Sequence, residues 1–288
     1  MLAVVFGVLS GALFGVFTLA VRSGLTRGAD PEVGAFVITG LGFLVGALLA
    51  LPELVGGAGV ADLWPFLAVG AVVPGASQIL FILAVRDAGP SRAAILIGTA
   101  PLISVIIALF ALDEPFRPLL LVGTGLIVAG GAIMARERSR PAHFRALGAG
   151  LALTCAALFA VRDNAVRFVA RDANAPPLAA SAASLLAASA VVLLYLLVVR
   201  RRDLPAKLRA ALPAFGAAGV TLGLAYASLV EGFDHGPVSV VAPLNATQSL
   251  WAVLLAAVLI GRSEHIGRRT VLSGLLVLAG GAMISVLR

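Results

Sequence analysis

Long apolar runs separated by short polar segments cover almost the whole chain. Each run is about 20 residues long, the length that an α-helix needs to cross roughly 30 Å of hydrocarbon. Charges, prolines and glycines divide the 288 residues into ten such runs, so the pattern predicts ten transmembrane helices. The predicted spans are 2–21, 33–52, 64–85, 91–111, 117–135, 147–169, 177–199, 210–231, 237–260 and 270–287. The short loops between them leave no room for a soluble domain.

The composition fits a chain that has the bilayer as its main solvent. Hydrophobic residues make up 60% of the chain and charged residues 12%, with a mean hydropathy of +1.07. Soluble domains carry about twice that charged fraction, which argues against a soluble enzyme. One cysteine allows no intramolecular disulfide, and three distant histidines show no metal-ligand spacing, so no cofactor or metal is expected. The first run lacks a basic segment and a cleavage site, which favours a retained span over a signal peptide.

Positive charge falls between the apolar runs and mostly on one side of the predicted topology. In a soluble chain the net charge of +7 would suggest nucleic acid, but here it is explained by membrane topology, and no nucleic-acid partner is expected. Loops that follow odd-numbered spans hold most of the lysines and arginines, and cytoplasmic loops collect such residues. We therefore predict a plasma membrane protein, of a bacterial inner membrane, with both termini outside. The residues concerned are Arg22, Arg27, Arg86, Arg92, Arg136, Arg138, Arg140, Arg145, Arg200, Arg201, Arg202, Lys207, Arg209, Arg262, Arg268 and Arg269. Arg162, Arg167 and Arg171 lie on the other side and count against this orientation.

The sequence repeats itself at offsets of 145 to 150 residues. The matching stretches are Gly11-Ala12-Leu13-Phe14 with Ala156-Ala157-Leu158-Phe159, Gly89-Pro90 with Gly236-Pro237, and Gly125–Ala132 with Gly274–Gly281, and Glu114 matches Glu264. Each copy holds five predicted spans, and because five is odd the second copy must enter the membrane inverted. Inverted repeats with a site between them are a transporter architecture. The predicted units are residues 1–145, with spans one to five, and residues 146–288, with spans six to ten.

These repeated features resemble the drug/metabolite transporter superfamily, in particular its ten-helix group built from two EamA-type repeats. The marks are a Gly-Pro between the third and fourth spans, an apolar fourth span followed by a Glu, and a glycine-rich fifth span, all present twice. The resemblance implies an all-α integral membrane protein with ten transmembrane helices in two inverted five-helix repeats. It implies a transporter rather than an enzyme, with amino acids, nucleotide-linked sugars or vitamins as cargo, but a fold does not fix the substrate. Small multidrug members have a membrane-embedded Glu where this chain has Phe14 and Phe159, which argues against cationic-drug antiport.

Span six contains charges that its counterpart lacks, and an ionisable group inside a span is a functional hypothesis. Phe17-Thr18-Leu19 of span one corresponds to Arg162-Asp163-Asn164 of span six. In one interpretation Arg162 or Arg167 binds a substrate carboxylate or phosphate, and Asp163 binds an amine or a proton. In the other, Asp163 pairs with Arg167 four residues on, and Arg162 extends to the membrane interface.

Span eight predicts a polar helix face formed by Thr221, Ser228, Glu231 and His235, with Tyr226 and Asp234 nearby. Such a face suits the wall of a cavity, and His235 could carry a proton near neutral pH. The alternative is that Glu231, Asp234 and His235 belong to the solvated loop after the span.

Neutral polar residues fall near the middle of other spans. They are Ser77 and Gln78 in span three, and Asn245, Gln248 and Trp251 in span nine. They are predicted either to contact a ligand or to form hydrogen bonds between helices, which are worth about 1 kcal/mol each. Close helix packing is predicted at Gly7, Gly11, Gly15, Gly130, Gly131, Gly280 and Gly281. Pro101 and Pro243 are predicted to bend their helices. Glu114 and Glu264 are predicted to stabilise helix starts.

The first functional hypothesis is a secondary active transporter, most readily an exporter, of a small polar metabolite such as an amino acid. It would work by alternating access, with protons as one candidate coupling ion. The second is a flippase for lipid-linked cargo, or a carrier of nucleotide sugars and other phosphorylated metabolites. A non-transporting scaffold is disfavoured because no sizeable loop offers a surface for soluble partners. The expected partners are the small-molecule substrate and the lipid bilayer; a monomer suffices, and a dimer remains open.

Overall fold

A computed structural model of the chain describes residues 1–56, 60–88, 96–135, 146–172, 175–199, 204–248, 250–251, 255 and 268–286. The described residues form helices joined by turns, and no strand occurs among them. The helices are α1 (Leu2–Thr26), α2 (Pro31–Val55), α3 (Trp64–Gly70), α4 (Ser77–Ala88), α5 (Ala100–Ala111), α6 (Pro118–Ala135), α7 (Ala146–Asp172), α8 (Pro177–Val199), α9 (Leu204–His235), α10 (Val238–Asn245) and α11 (Arg268–Val286). The predicted all-α membrane fold is confirmed.

Six segments among the described residues are long and apolar enough to cross a membrane. They are Leu2–Thr26, Pro31–Val55, Trp64–Phe81, Leu147–Ala170, Pro177–Val199 and Leu204–His235. Shorter apolar helices lie at Ala100–Ala111, Pro118–Ile133 and Leu272–Gly281, so the order of the predicted spans is kept while the count of ten crossings stays a prediction. The boundaries of span eight differ most, because α9 begins at Leu204 rather than at residue 210 and continues to His235, which makes Glu231, Asp234 and His235 helical rather than part of a loop.

Helix packing follows an approximate twofold relation between the two copies. Helix α1 packs on α9, and its counterpart α7 packs on α4; α1 also contacts α10, and α7 contacts α5. Helix α2 packs on α9, as α8 packs on α3 and the segment that follows it. The counterpart pairs α2–α8 and α6–α11 pack directly on each other. Two inverted copies of a five-helix unit give this arrangement.

Within the residues that the structure describes, three of the predicted spans are interrupted. Span three contains a π-helical segment, Ala71–Ala76, in which Val73 departs from helical angles (φ −139°, ψ 116°) and Pro74 lacks an N–H. Span four has a turn at residues 98–99 before α5 begins, and span nine has a turn at residues 246–247 after α10 ends. Interrupted helices at membrane depth are tolerated where they are buried in protein or line a cavity, and they form ligand sites in transporters.

The two prolines predicted to bend helices behave differently. Pro101 lies in the first turn of α5, directly after the turn at residues 98–99, so it marks the break in span four rather than a bend inside a continuous helix. In the first turn an N–H has no partner inside the helix, and a proline there removes no hydrogen bond. Pro243 lies inside α10, as predicted.

Glycines permit the closest helix contacts. A Cβ added at Gly11 would lie 2.7 Å from Thr247 Oγ1 and 2.8 Å from the Leu244 carbonyl oxygen, so α1 rests against the interrupted part of span nine. Gly123 of α6 and Gly280 of α11 each face the other's carbonyl oxygen, and Gly7 and Gly130 also lie at helix contacts. The predicted packing role is confirmed for Gly7, Gly11, Gly130 and Gly280.

Glu114 links the two copies through the backbone. Its carboxylate is buried and accepts hydrogen bonds from Val238 N at 2.7 Å and Ser239 N at 3.0 Å. A carboxylate at this place satisfies N–H groups that have no partner inside the helix and interacts favourably with the helix dipole. The predicted structural role is correct, but the helix concerned is α10 of the second copy rather than α6, which follows Glu114 in sequence.

Some residues used in the sequence analysis lie outside the described residues. They are Gly89, Pro90, Arg92, Arg136, Arg138, Arg140, Arg145, Arg200, Arg201, Arg202, Arg262 and Glu264. The unit boundary at residue 145 and the orientation of the termini therefore stay predictions.

Candidate functional site

Helix α7 carries a buried ion pair between neighbouring residues. Arg162 Nη2 and Nε lie 2.6 and 2.9 Å from Asp163 Oδ1, with only 10% and 7% of the two side chains exposed. Asp163 lies roughly two and a half turns before the end of α7, inside an apolar segment long enough to span a membrane. Removing two charges from water costs several kcal/mol per ion, so a pair at this depth needs complete hydrogen bonding and marks a candidate site.

Helix α5 provides a further partner for the pair. Ser104 Oγ lies 2.9 Å from Asp163 Oδ2, to which it donates, so both carboxylate oxygens are engaged. Ser104 was missed in the sequence analysis. The available signal was that it is the single hydroxyl of α5, three residues after Pro101. Because α5 begins at the interruption of span four, Ser104 connects that interruption to the charged helix.

Asn164 offers an acceptor with no hydrogen-bond partner in the described part of the chain. Its Nδ2 donates to the carbonyl oxygens of Ser104 at 3.0 Å and Ala160 at 2.8 Å. These two acceptors fix the orientation of the amide, since a flip would place oxygen against oxygen. Asn164 is 5% exposed, and its Oδ1 receives no hydrogen bond. Leaving a buried acceptor unpaired costs about 1–3 kcal/mol, so Oδ1 is suited to a donor from a ligand.

Two aromatic rings flank the Arg162 guanidinium. The ring centroids of Phe159 and Tyr226 lie 5.6 and 5.7 Å from its central carbon, within the range of cation–π attraction. Tyr226 is 1% exposed, and its hydroxyl lies 3.4 Å from the carbonyl oxygen of Val73 in the interrupted part of span three. Tyr226 of α9 therefore connects the charged helix to span three.

Arg167 does not pair with Asp163, so that prediction is wrong. Its Nη1 donates to the carbonyl oxygens of Phe233 at 2.6 Å and Asp234 at 2.9 Å. The last carbonyls of a helix lack partners within it, and an arginine near that end satisfies them. Asp163 is turned towards Ser104 instead, which leaves Arg162 as its cation. The prediction that Arg162 extends to the interface is therefore also wrong.

Asn245 of span nine forms a hydrogen bond with helix α1. Asn245, the last residue of α10, accepts at Oδ1 from the Ser10 hydroxyl 2.9 Å away, and that hydroxyl also lies 3.2 Å from the carbonyl oxygen of Ala225. Ser10, which the sequence analysis did not single out, thus joins α1, α9 and α10. Asn245 forms an interhelical hydrogen bond here, one of its two predicted roles.

The four other predicted residues lie in spans three and nine. Gln248 and Trp251 follow the turn in span nine and are half-buried. In α4, Ser77 is buried, with its carbonyl oxygen 3.7 Å from Cys155 Sγ, and Gln78 is half-buried. Contact of these four with a ligand stays a prediction.

The predicted polar face of span eight divides between two places. Tyr226 faces the ion pair, while Ser228 and Glu231 line a groove of about 340 Å³ between α1, α2, α8 and α9. Its other walls are apolar and include Phe6, Leu9, Leu13, Leu49 and Leu178. Ser228 Oγ donates to the Leu224 carbonyl oxygen at 2.9 Å, and His235 Nδ1 lies 3.5 Å from Glu231 Oε2. The structure thus brings Arg162, Asp163, Asn164 and Tyr226 together, and it places Ser228 and Glu231 elsewhere.

Two stretches of the chain, residues 1–136 and 146–286, match the model of the EamA-like transporter family. The chain belongs to this family. This EamA-family chain is therefore a multi-pass membrane transporter of the drug/metabolite type, and the predicted family is confirmed. The two matches fall on the two copies inferred from the internal repeat.

A solved structure named "Crystal structure of protein" is also similar to the EamA-family chain. The two share 23% sequence identity with a TM-score of 0.79, and the match covers 99% of this chain and 96% of that one. At this identity the likeness shows the fold alone. No curated protein matches the chain.

Proposed function

We propose that the chain is a secondary transporter that moves a small zwitterionic metabolite, such as an amino acid, by alternating access between its two inverted copies. The proposal rests on the buried Arg162–Asp163 pair, which Ser104 joins to the interruption of span four. The proposed cavity lies between spans one, three, four, six, eight and nine. In transporters with inverted repeats, ligands bind near the midplane where interrupted helices meet.

A zwitterion matches the charge balance of the ion pair. Without ligand, Arg162 and Asp163 neutralise each other. An amino acid brings one carboxylate and one ammonium, so Arg162 can exchange Asp163 for the ligand carboxylate while Asp163 takes the ammonium. The buried site then gains no net charge, whereas an uncompensated charge there would cost several kcal/mol.

The hydrogen-bonding groups suit the same ligand. Arg162 has five N–H donors and directs two of them at Asp163, so others remain for the planar geometry of a carboxylate. For the ammonium, Asp163 provides the charge and Asn164 Oδ1 provides a second acceptor. Both of these side chains hydrogen-bond to Ser104, which keeps their acceptors close to each other.

Carriage of nucleotide sugars or of lipid-linked cargo would require positive charge for phosphate. Arg162 is balanced by Asp163, and Arg167 is bound to the end of α9. The Arg162–Asp163 pair therefore carries no net positive charge, and the Arg167 guanidinium is directed at backbone carbonyls. This observation favours the zwitterion over a phosphorylated substrate.

A thermal-shift screen of the purified protein in detergent tests the proposal. The panel contains amino acids, phosphorylated metabolites and organic cations. A ligand at 100 times its Kd adds about 2.7 kcal/mol to the stability of the folded state, so a bound amino acid raises the unfolding midpoint. Arg162→Lys loses the planar fork and should weaken this shift, and Asp163→Asn should abolish it, each measured against the variant's own midpoint.

Arg209→Gln is the matched control, because it removes an exposed arginine from α9 and should keep the full shift. A shift with phosphorylated ligands alone would contradict the proposal. A shift with amino acids that survives in Asp163→Asn would place the site elsewhere.

The proposal also includes the direction of transport, which is export, and its coupling to protons. They are tested with protein in liposomes loaded with labelled ligand, where an imposed pH gradient should accelerate efflux. The candidate proton carriers are Asp163, Glu231 and His235. If neutralising each in turn left the gradient-driven flux unchanged, coupling through these groups would be excluded.

A further inference from the structure

We propose that the groove between α1, α2, α8 and α9 is a second binding site, which takes a single-chain amphiphile with a protonated primary amine from the bilayer. The groove lies on the other side of α9 from the ion pair, because Leu224 and Ser228 are each two residues from Tyr226 and so point about 160° away from it. This site does not depend on the zwitterion cavity.

The shape of the groove suits a hydrocarbon chain that arrives sideways. Helix α1 contributes Phe6, Leu9 and Leu13 from one face, and α2 and α8 contribute Leu49 and Leu178. Leu9 is 43% exposed and Leu49 is 37% exposed, so the groove opens along the apolar surface that contacts lipid. Its volume of about 340 Å³ lies within the range of small-molecule pockets.

The charge in the groove specifies the head group. Glu231 is the one charged residue in the described lining, and 16% of its side chain is exposed. Glu53 and Asp234 are close enough to repel its charge. His235 Nδ1 lies 2.9 Å from the Glu231 carbonyl oxygen and 3.5 Å from Glu231 Oε2, so a protonated His235 would offset part of this repulsion, but His235 is not part of the described groove lining. An ammonium ion would relieve this repulsion and form charge-assisted hydrogen bonds.

The same lining disfavours a phospholipid. A phosphate would enter a groove whose described lining holds a carboxylate and no cation, with two more carboxylates close by. Phosphatidylethanolamine has an ammonium but also has this phosphate, so we commit to an amine without one.

Photo-crosslinking of the full chain in phosphatidylcholine nanodiscs tests this site. The probe is dodecylamine with a diazirine near the end of its chain, and labelled peptides are mapped by mass spectrometry. Labelling is expected around Phe6–Leu13 and residues 224–231. Since a hydrogen bond to a charged group is worth about 1.5–3 kcal/mol, Glu231→Gln should weaken labelling about 10- to 100-fold.

Leu178→Trp is a second variant, which fills the groove without touching the charge, and it should also abolish labelling. Leu186→Trp is the matched control, because Leu186 is exposed on the same helix outside the described lining and the change should have no effect. Asp163→Asn should label normally, which separates this site from the proposed transport cavity.

Three results would overturn the inference. The first is equal labelling by the dodecanol analogue, which would make the groove a nonspecific lipid contact. The second is unchanged labelling in both Glu231→Gln and Leu178→Trp. The third is displacement of the probe by phosphatidylethanolamine as readily as by unlabelled dodecylamine, which would make a phospholipid the occupant.

Discussion

Helices α1 and α7 occupy equivalent places in the two copies, and they carry different side chains at corresponding positions. Where α7 has Arg162-Asp163-Asn164, α1 has Phe17-Thr18-Leu19, and the Thr18 hydroxyl is satisfied by its own helix through the Phe14 carbonyl oxygen, 2.8 Å away. Helix α1 instead approaches span nine closely through Gly11. The copies share a packing plan, while the charged centre belongs to the second copy. Duplication thus preserved the scaffold and left the site free to become asymmetric.

Two clefts beside the α2–α8 pair show the same contrast. Glu32 and Tyr195 line a cleft of about 10 Å³, and Leu178 and Leu49 line the groove of about 340 Å³. Glu32 corresponds to Leu178, and Leu49 to Tyr195, both at an offset of 146 residues. Since the copies are inverted, these clefts lie towards opposite ends of the bundle. Equivalent helix contacts are thus closed at one end and open at the other, so the two copies differ in packing as well as in charge.

The largest effect is expected when α7 is given the residues of α1. Asp163→Thr leaves Arg162 buried without its partner and should lower the free energy of unfolding by about 3–5 kcal/mol. Arg162→Phe combined with Asp163→Thr removes both charges, so the double variant should be more stable than Asp163→Thr alone. Chemical or thermal unfolding of the single and double variants in detergent measures the coupling.

Thr18→Val is the control for this cycle, and its effect should stay below about 1 kcal/mol because Thr18 bonds only within α1. The two single variants each lower the free energy of unfolding. If these two losses added up to the loss in the double variant, Arg162 and Asp163 would have no coupling energy. The two helices would then differ in residue type but not in a stabilising ion pair.

An intermediate effect is expected from exchanging the small residues at the equivalent helix contacts. Gly11→Ala places a Cβ against Thr247 Oγ1 and the Leu244 carbonyl oxygen and should cost about 1–3 kcal/mol through overpacking. Ala156 corresponds to Gly11, and Ala156→Gly should cost about 1 kcal/mol through backbone entropy. Unfolding midpoints compare the two variants. A neutral Gly11→Ala would show that α1 does not rest tightly against span nine.

Much of the fold could be predicted from the sequence because hydrocarbon imposes a strict pattern on a spanning helix. The repeat offsets then gave the inversion, since five spans in a copy is an odd number. The interruptions were harder to predict. Pro74 and Pro101 both lie at breaks, but a proline can equally be accommodated in a first turn, so residue type alone did not locate the breaks.

The position of the candidate site could be predicted from the sequence, but the pairing of its charged side chains could not. Charges inside span six marked Arg162 and Asp163, while sequence spacing suggested Arg167 as the partner of Asp163. That choice depended on neighbours from other helices: Ser104 holds Asp163, and the end of α9 holds Arg167. Glu114 shows the same limit, because the helix it caps is distant in sequence. Local spacing shows which residues share a face, and tertiary packing decides what that face meets.

The smallest effect on stability is expected at the first turns of α2 and α8, where different side chains accept hydrogen bonds from the backbone N–H groups. Asp30 caps its own helix, with Oδ1 3.1 Å from Glu32 N, and also accepts from Lys207 Nζ at 3.1 Å. The corresponding residue before α8 is Pro176, and there the Glu53 carboxylate of α2 accepts from Ala179 N at 2.8 Å. The start of α2 is therefore capped by a residue of its own copy, with an ion pair to the second copy, whereas the N–H of Ala179 near the start of α8 is bound by a carboxylate of the first copy.

Asp30→Asn keeps a good helix cap and removes the charge. Burial alone would raise the pKa of Asp30, but the hydrogen bond from Lys207, those from Val33 N and Glu32 N, and the charge of Lys207 together hold it below its ordinary value of 3.8. A depressed pKa contributes stability that is present above about 3.8 and is lost as the pH falls through the folded-state value. Since the pair is partly exposed, the difference between wild type and Asp30→Asn should be at most about 1 kcal/mol at neutral pH. Unfolding midpoints from about pH 6 down to about pH 3 should converge, and a constant difference would show that the carboxylate's charge does not hold this start of α2.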